Sequence, residues 1–176
     1  LIMNPTFAIA SLLIDRAKKR RRVASGPFRG ARLIPSALDF DWGKLMGLYE
    51  FYLHEPLESA ISTMPPLCIV VGASEGYYTL GLAHRLPKSE HIAYEMLDET
   101  RSKLIGAVSA LESPIQVKGM CALEELILDV QSSDRGFLLM DCEGYEEHLL
   151  TASIRESLAG WHIILEVHDF QAPGAG

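Results

Sequence analysis

The chain has 176 residues, of which 48% are hydrophobic and 22% charged, and its formal net charge is −7. That length suits one domain with a small appendage, and the composition excludes a disordered, collagenous or disulfide-scaffold protein. Cys68, Cys121 and Cys142 show no Cys-x-x-Cys spacing, so they read as small buried hydrophobes of a reducing cytosol rather than as disulfide or zinc ligands.

The charge is unevenly spread. Arg16, Lys18, Lys19, Arg20, Arg21, Arg22, Arg29 and Arg32 crowd the N-terminal segment, where Asp15 is the one acid. The rest is strongly acidic, which argues against extended nucleic-acid binding. No stretch is long enough to span a membrane. "TFAIASLLI" is short and its basic run follows it, the reverse of a signal peptide. A cytoplasmic location is expected.

In chain order, "NPTFAIASLLIDRAKKRRR" reads as a helix, with Asn4 able to cap it and Pro5 at the first helical position. "ASGPFRGARLIPS" is a connector. "LDFDWGKLMGLYEFYLHEPLESAIS" has helical spacing of Leu45, Leu48, Tyr49, Tyr52 and Leu53, with Pro56 expected to break or restart it. After Pro66 the pattern changes. "LCIVVG", "EHIAYE", "IQVKG", "GFLLMDCEG" and "WHIILEVHDF" read as five strands, with helical patterns between them. Continuous apolar runs such as "LCIVV" suit parallel strands covered on both faces. The succession predicts an α/β fold: a Rossmann-like, doubly wound, mostly parallel sheet. Residues 1–65 form an N-terminal helical segment and connector, and residues 66–176 form the core.

Such sheets bind ligands at the carboxyl ends of their strands. Here those ends carry Gly72-Ala73-Ser74-Glu75-Gly76, Glu95, Gly119-Met120-Cys121, Asp141-Cys142-Glu143-Gly144 and Glu166-Val167-His168-Asp169. The first is the glycine turn. Its spacing is Gly-x-x-x-Gly, without the middle glycine of a dinucleotide fingerprint, and Glu75 would oppose a pyrophosphate. S-adenosylmethionine has no phosphate and carries a sulfonium cation, so acidic surroundings do it no harm. Glu95 is placed to hold a ribose diol, a feature shared with NAD enzymes, so it does not discriminate alone.

"VVGASEGYYTLGLAHRLP", "HIAYEMLDETRSKL", "LLMDCEGYEEHLL" and "IILEVHDF" together resemble the FkbM-like family of S-adenosylmethionine-dependent methyltransferases, and "GLYEFYL" resembles a stretch upstream of the core in one branch. The resemblance covers roughly residues 45–170. It implies a class I methyltransferase core and O-methylation of a small molecule such as a sugar or polyketide hydroxyl. By motif, Gly72 and Gly76 would form the cofactor loop, lined by Ala73, Ser74 and Glu75, with Met120 beside it and Glu95 on the ribose. Asp141, Glu143 and Gly144 would form the acidic motif of strand four, and Glu166 and His168 the ending of strand five. Val70 and Leu139 stand where the family carries an acid and a lysine. The resemblance also implies strands beyond strand five, which "QAPGAG" does not supply.

Methyl transfer to oxygen needs a base. His168 is the first candidate, because imidazole titrates near neutrality; a histidine merely bonded to Glu166 is the alternative. Asp141 is the second candidate. It can instead hold the cofactor's amino group, or join Glu143 and His168 around a divalent metal. Glu143, Glu166 and Tyr49 are candidate substrate contacts. A methyltransferase fold without activity, serving as a binding domain, is the competing reading.

Overall fold

A computed structural model of the chain describes residues 21–33, 42–109 and 114–168. The predicted helix over residues 4–22 lies outside these residues except for Arg21 and Arg22, and so does the chain after His168. Arg21 and Arg22 are not helical: Arg22 forms an antiparallel bridge with Arg32 that closes a loop.

The predicted continuous helix around residue 50 is three short pieces: α1 (Trp42–Met46), a 3-10 turn (Phe51–Leu53) and α2 (His54–Ser62). Gly47 (φ 71°) and Glu50 (φ 43°) adopt left-handed backbone, which no helix continues through. Pro56 does not break α2. It lies in the first turn, where its missing N–H would have had no intrahelical partner anyway.

The rest alternates strand and helix: β1 (Leu67–Val71), α3 (Tyr77–Arg85), β2 (Glu90–Tyr94), α4 (Asp98–Val108), β3 (Ile115–Lys118), α5 (Leu123–Gln131), β4 (Phe137–Met140), α6 (Glu146–Leu149), α7 (Ala152–Arg155) and β5 (His162–Leu165). The helical pattern after β4 is split into α6 and α7 at Leu150–Thr151, where the backbone leaves the helical region. All pairings are parallel, in the order β3-β2-β1-β4-β5. Sequential strands therefore run outward from β1 to one edge, and β4 restarts on its other side. This is a doubly wound α/β sheet, and its switch point lies between the carboxyl ends of β1 and β4.

Every residue of β1 is buried, because both sheet faces are covered. Cys68 and Val70 point to one layer with Ala93, Phe137 and Leu139. Leu67, Ile69 and Val71 point to the other with Tyr94, Leu138 and Met140, under Leu126 and Val130 of α5 and Leu149 of α6. Val23, Phe28, Ala31 and Leu33 of the N-terminal loop join the first layer together with Leu57, Ala60 and Ile61 of α2. The loop over residues 21–33 and α2 are thus packed into the core on that face of the sheet.

The contact that seats this loop is Phe28 on Gly81. A Cβ at Gly81, in mid-α3, would collide with the Phe28 ring, which is 1% exposed. Overpacking of this kind costs about 1–3 kcal/mol. Gly81→Ala is expected to lower the urea midpoint with the m value unchanged, and combination with Phe28→Leu should cost less than the sum of the two changes.

Candidate functional site

The site is built where β1 gives way to α3. Gly72 has φ 81°, and a Cβ there would run into the Asp141 carbonyl oxygen at the tip of β4. Only glycine lets the two strand tips approach this closely. The Gly72 and Ala73 N–H groups both donate to the Tyr94 carbonyl, at 3.0 and 2.8 Å. Ser74 is also left-handed (φ 49°) and turns its N–H toward Glu95, whose Oε2 accepts it at 2.8 Å. The other oxygen, Oε1, accepts the Leu97 N–H at 2.8 Å. Glu95 is 7% exposed, so a buried carboxylate clamps the turns that follow β1 and β2.

Across these tips opens a cavity of about 630 Å³, within the range of small-molecule and cofactor sites. Gly72, Ala73, Ser74, Glu95, Met120 and Asp141 line it, and Tyr49 and Glu143 contribute at its far side. Glu75 and Gly76, assigned to the loop from the sequence, are not among its walls. Glu75 turns back to the Ser74 hydroxyl at 2.8 Å and to Lys44 at 3.7 Å. Burial raises its carboxyl, but these contacts outweigh that and hold it below the usual value. Gly76 is the left-handed residue capping α3, packed against Leu104 and Leu80.

Beyond Asp141 the ends of β4 and β5 bring five side chains together. His168 Nε2 lies 3.8 Å from Asp141, 3.6 Å from Glu143 and 3.8 Å from Glu166. Its Nδ1 faces Glu146 Oε1 at 3.1 Å. Glu146, 6% exposed, also accepts the Cys142 N–H at 2.9 Å. Burial, then the charges of Glu166 and Glu143, push the Asp141 carboxyl up to about 6. Burial would raise Glu146 as well, but hydrogen bonds from the Cys142 and Glu146 amides and from His168 overcome it, so its carboxyl is held low. Desolvation lowers the His168 imidazole, and the Glu146 hydrogen bond with the surrounding carboxylates raises it further, so it ends above its ordinary value. Asp141, Glu143 and His168 also bring ligand-type atoms within 4.8 Å of one another, a grouping able to hold a divalent cation.

Apart from Glu75 and Gly76, the residues singled out from the sequence divide into a cavity group around Glu95 and an acidic group around His168, with Asp141 and Glu143 in both. Sequence reasoning missed Glu146, which looks like an ordinary acid in the first turn of a helix. The Glu50 carboxylate and the Tyr78 hydroxyl bond to each other, tying the segment before α2 to α3. Lys44 was missed too; it stands over the Tyr49 ring with its Nζ 4.8 Å from the centroid. Nothing in the spacing of these residues marks them, because their partners are distant along the chain.

Two pH effects follow. A carboxyl raised to about 6 in the fold adds stability in full below the unfolded value, and loses it as pH rises through 6. Asp141→Asn, which cannot ionise, is therefore expected to raise the melting temperature at about pH 8 and leave it unchanged near pH 4. His168 is raised by Glu146, so its contribution is present below the ordinary imidazole value and lost as pH rises through the folded one. Glu146→Gln is expected to lower the His168 pKa, read by NMR titration of the imidazole; an unchanged value would show that Glu146 does not set it.

No protein-family model matches the chain, and no curated protein matches it in sequence. Among solved structures, the chain is similar to the fibrillarin/Nop5p complex, with 17% identity over 58% of this chain and 46% of that one and a TM-score of 0.42. It is also similar to the SAH-bound Podospora anserina methyltransferase PaMTH1, with 13% identity over 84% of this chain and 54% of that one and a TM-score of 0.46. The chain spans about half the length of each.

Proposed function

We propose that the chain is an S-adenosylmethionine-dependent methyltransferase that methylates a hydroxyl of a small molecule. The observation that carries this reading is the buried Glu95 carboxylate lining an open cavity across the tips of β1 and β2, with an acidic group one strand away. The residues fit this cofactor. Gly72 lacks the Cβ that would run into the Asp141 carbonyl, so the tips of β1 and β4 close up against each other at the cavity wall. The amides of Gly72, Ala73 and Ser74 are already bonded to the Tyr94 carbonyl and to Glu95, so the turn offers none of them to a pyrophosphate. Val70 and Leu139, which depart from the family pattern, are each 2% exposed and pack in the core layer.

When bound, S-adenosylmethionine supplies an electrophilic methyl group on a sulfonium. Glu95 accepts the ribose hydroxyls on the lone pairs its two amide partners leave open. The Gly72 turn fixes the cofactor's position relative to Asp141. Alignment of this kind contributes up to about 7–11 kcal/mol in favourable cases. Held there by Glu95 and the Gly72 turn, the cofactor would supply its methyl for displacement by an acceptor oxygen, its sulfur keeping the electron pair. The hydroxyl proton passes to His168, whose ring Glu146 holds in place; such a base is worth roughly 10²–10⁴ in rate. Asp141, raised toward neutrality, is the second acceptor for that proton.

A thermal-shift titration tests the reading. S-adenosylhomocysteine at a hundredfold excess over its Kd should stabilise the fold by about 2.7 kcal/mol, and NAD should not. In Glu95→Gln the cofactor affinity is expected to fall at least roughly tenfold, since a hydrogen bond to a charged group is worth about 1.5–3 kcal/mol. A shift with NAD, or an undiminished S-adenosylhomocysteine shift in the variant, would remove the assignment. Cofactor binding with no transfer to any acceptor would favour the binding-domain reading.

A further inference from the structure

A second cavity, of about 240 Å³, opens on the other side of Asp141. Its walls include Glu50 and Tyr52 from the N-terminal segment, Tyr78 from α3, and Asp141, Ile164 and Glu166 from the ends of β4 and β5. Asp141 and Tyr78 line both cavities, so ligands filling the two would meet at Asp141.

The two compartments differ in character. The larger, about 630 Å³, includes Lys44. The smaller is the size of a single sugar ring or less, and no lysine, arginine or histidine is among its described walls. Its polar groups are three carboxylates, brought by three separate parts of the chain, and two phenols. Glu50 is pinned in place by the Tyr78 hydroxyl and by its own left-handed backbone. Among the described residues, the cation-forming group paired with these carboxylates is His168, 3.8 Å from both Asp141 and Glu166, and Glu143 and Glu146 face that ring as well. One imidazole does not balance this set of carboxylates.

We infer that the smaller cavity is the acceptor site and that it selects a small organic cation bearing hydroxyl groups, an amino alcohol or amino sugar by class. The inference rests on the methyltransferase reading above for the use made of the hydroxyl. An ammonium group gains hydrogen bonds to the carboxylates and contact with the phenol faces. Hydroxyls find acceptors in the same carboxylates. A phosphate or carboxylate acceptor would lie against like charge on three sides and is excluded.

The test is a ligand-observed NMR titration of the full chain, with and without saturating S-adenosylhomocysteine, using glucosamine, glucose and glucuronate as probes of one size and three charges. Glucosamine is expected to bind most tightly and glucuronate not at all. Glu166→Gln should weaken glucosamine roughly fivefold, as for one partly exposed charge pair, and leave glucose unchanged. Equal binding of the three probes, tighter glucuronate binding, or indifference of glucosamine to Glu166→Gln would overturn the proposal. So would magnesium or manganese alone binding in a manner abolished by Asp141→Asn, which would assign the carboxylates to a metal. If S-adenosylhomocysteine binds and no probe does, the acceptor class falls and the methyltransferase reading stands. If S-adenosylhomocysteine does not bind, both fall.

Discussion

One carboxylate holds the functional end of this sheet together. Glu95 accepts the amide of Ser74 on one oxygen and that of Leu97 on the other. A left-handed residue such as Ser74 turns its N–H out of the strand ladder, where it would have no backbone partner. The buried member is Glu95, 7% exposed, and leaving its two carboxylate oxygens unpaired there would cost about 1–3 kcal/mol each or more. The clamp satisfies both and fixes the separation of the turns that follow β1 and β2. The Tyr94 carbonyl, receiving the amides of Gly72 and Ala73, closes the same junction from beneath. A crevice held in this way has its shape before any ligand arrives, so little ordering cost falls on binding.

The clamp also governs the far side of the sheet. Gly72 lies against the Asp141 carbonyl, and the Asp141 amide donates to Val71 at 2.9 Å. The backbone of Asp141 is therefore set by the β1 turn, and its side chain is delivered to the wall between the two cavities. Glu166 continues the register, its amide bonded to the Met140 carbonyl at 3.0 Å. A substitution that shifted the Gly72 turn would move Asp141 and then Glu166, although neither is near it in sequence.

The parts legible in the sequence are those governed by local pattern. β1 reads as a strand because five consecutive apolar residues fill both covered faces. The place of Glu95 at the tip of β2 was legible because strand two ends there, but its bonds to the Ser74 and Leu97 amides were not. The breaks at Gly47 and Glu50 were not legible. A glutamate gives no sign that it will adopt φ 43°, and the apolar spacing of Leu45, Leu48 and Tyr52 continues across the break. Leu48 and Tyr52 in fact face outward, 60% and 62% exposed, so the periodicity that suggested a helix did not come from a buried face. Glu146 was hidden for another reason. An acid at the start of a helix is ordinarily explained by the helix dipole, and only the return of β5 shows that this one reaches His168.

The acidic group gains its chemical sense from the opposite treatment of two neighbouring carboxyls. Glu146 is buried yet held ionised by the amides and imidazole around it, and Asp141 is pushed up to about 6 by burial and by Glu166 and Glu143. Environments that drive the pKa values of adjacent groups apart separate their duties. Glu146 remains a fixed negative partner that orients the His168 ring through Nδ1 and favours its cationic form. Asp141, raised to about 6, and His168, raised above its ordinary value, stand 3.8 Å apart, with Asp141 at the meeting point of the two cavities. In the methyltransferase reading, a proton released from an acceptor in the smaller cavity therefore has two destinations within one side chain's reach. The exposed Glu143 offers a route onward to solvent.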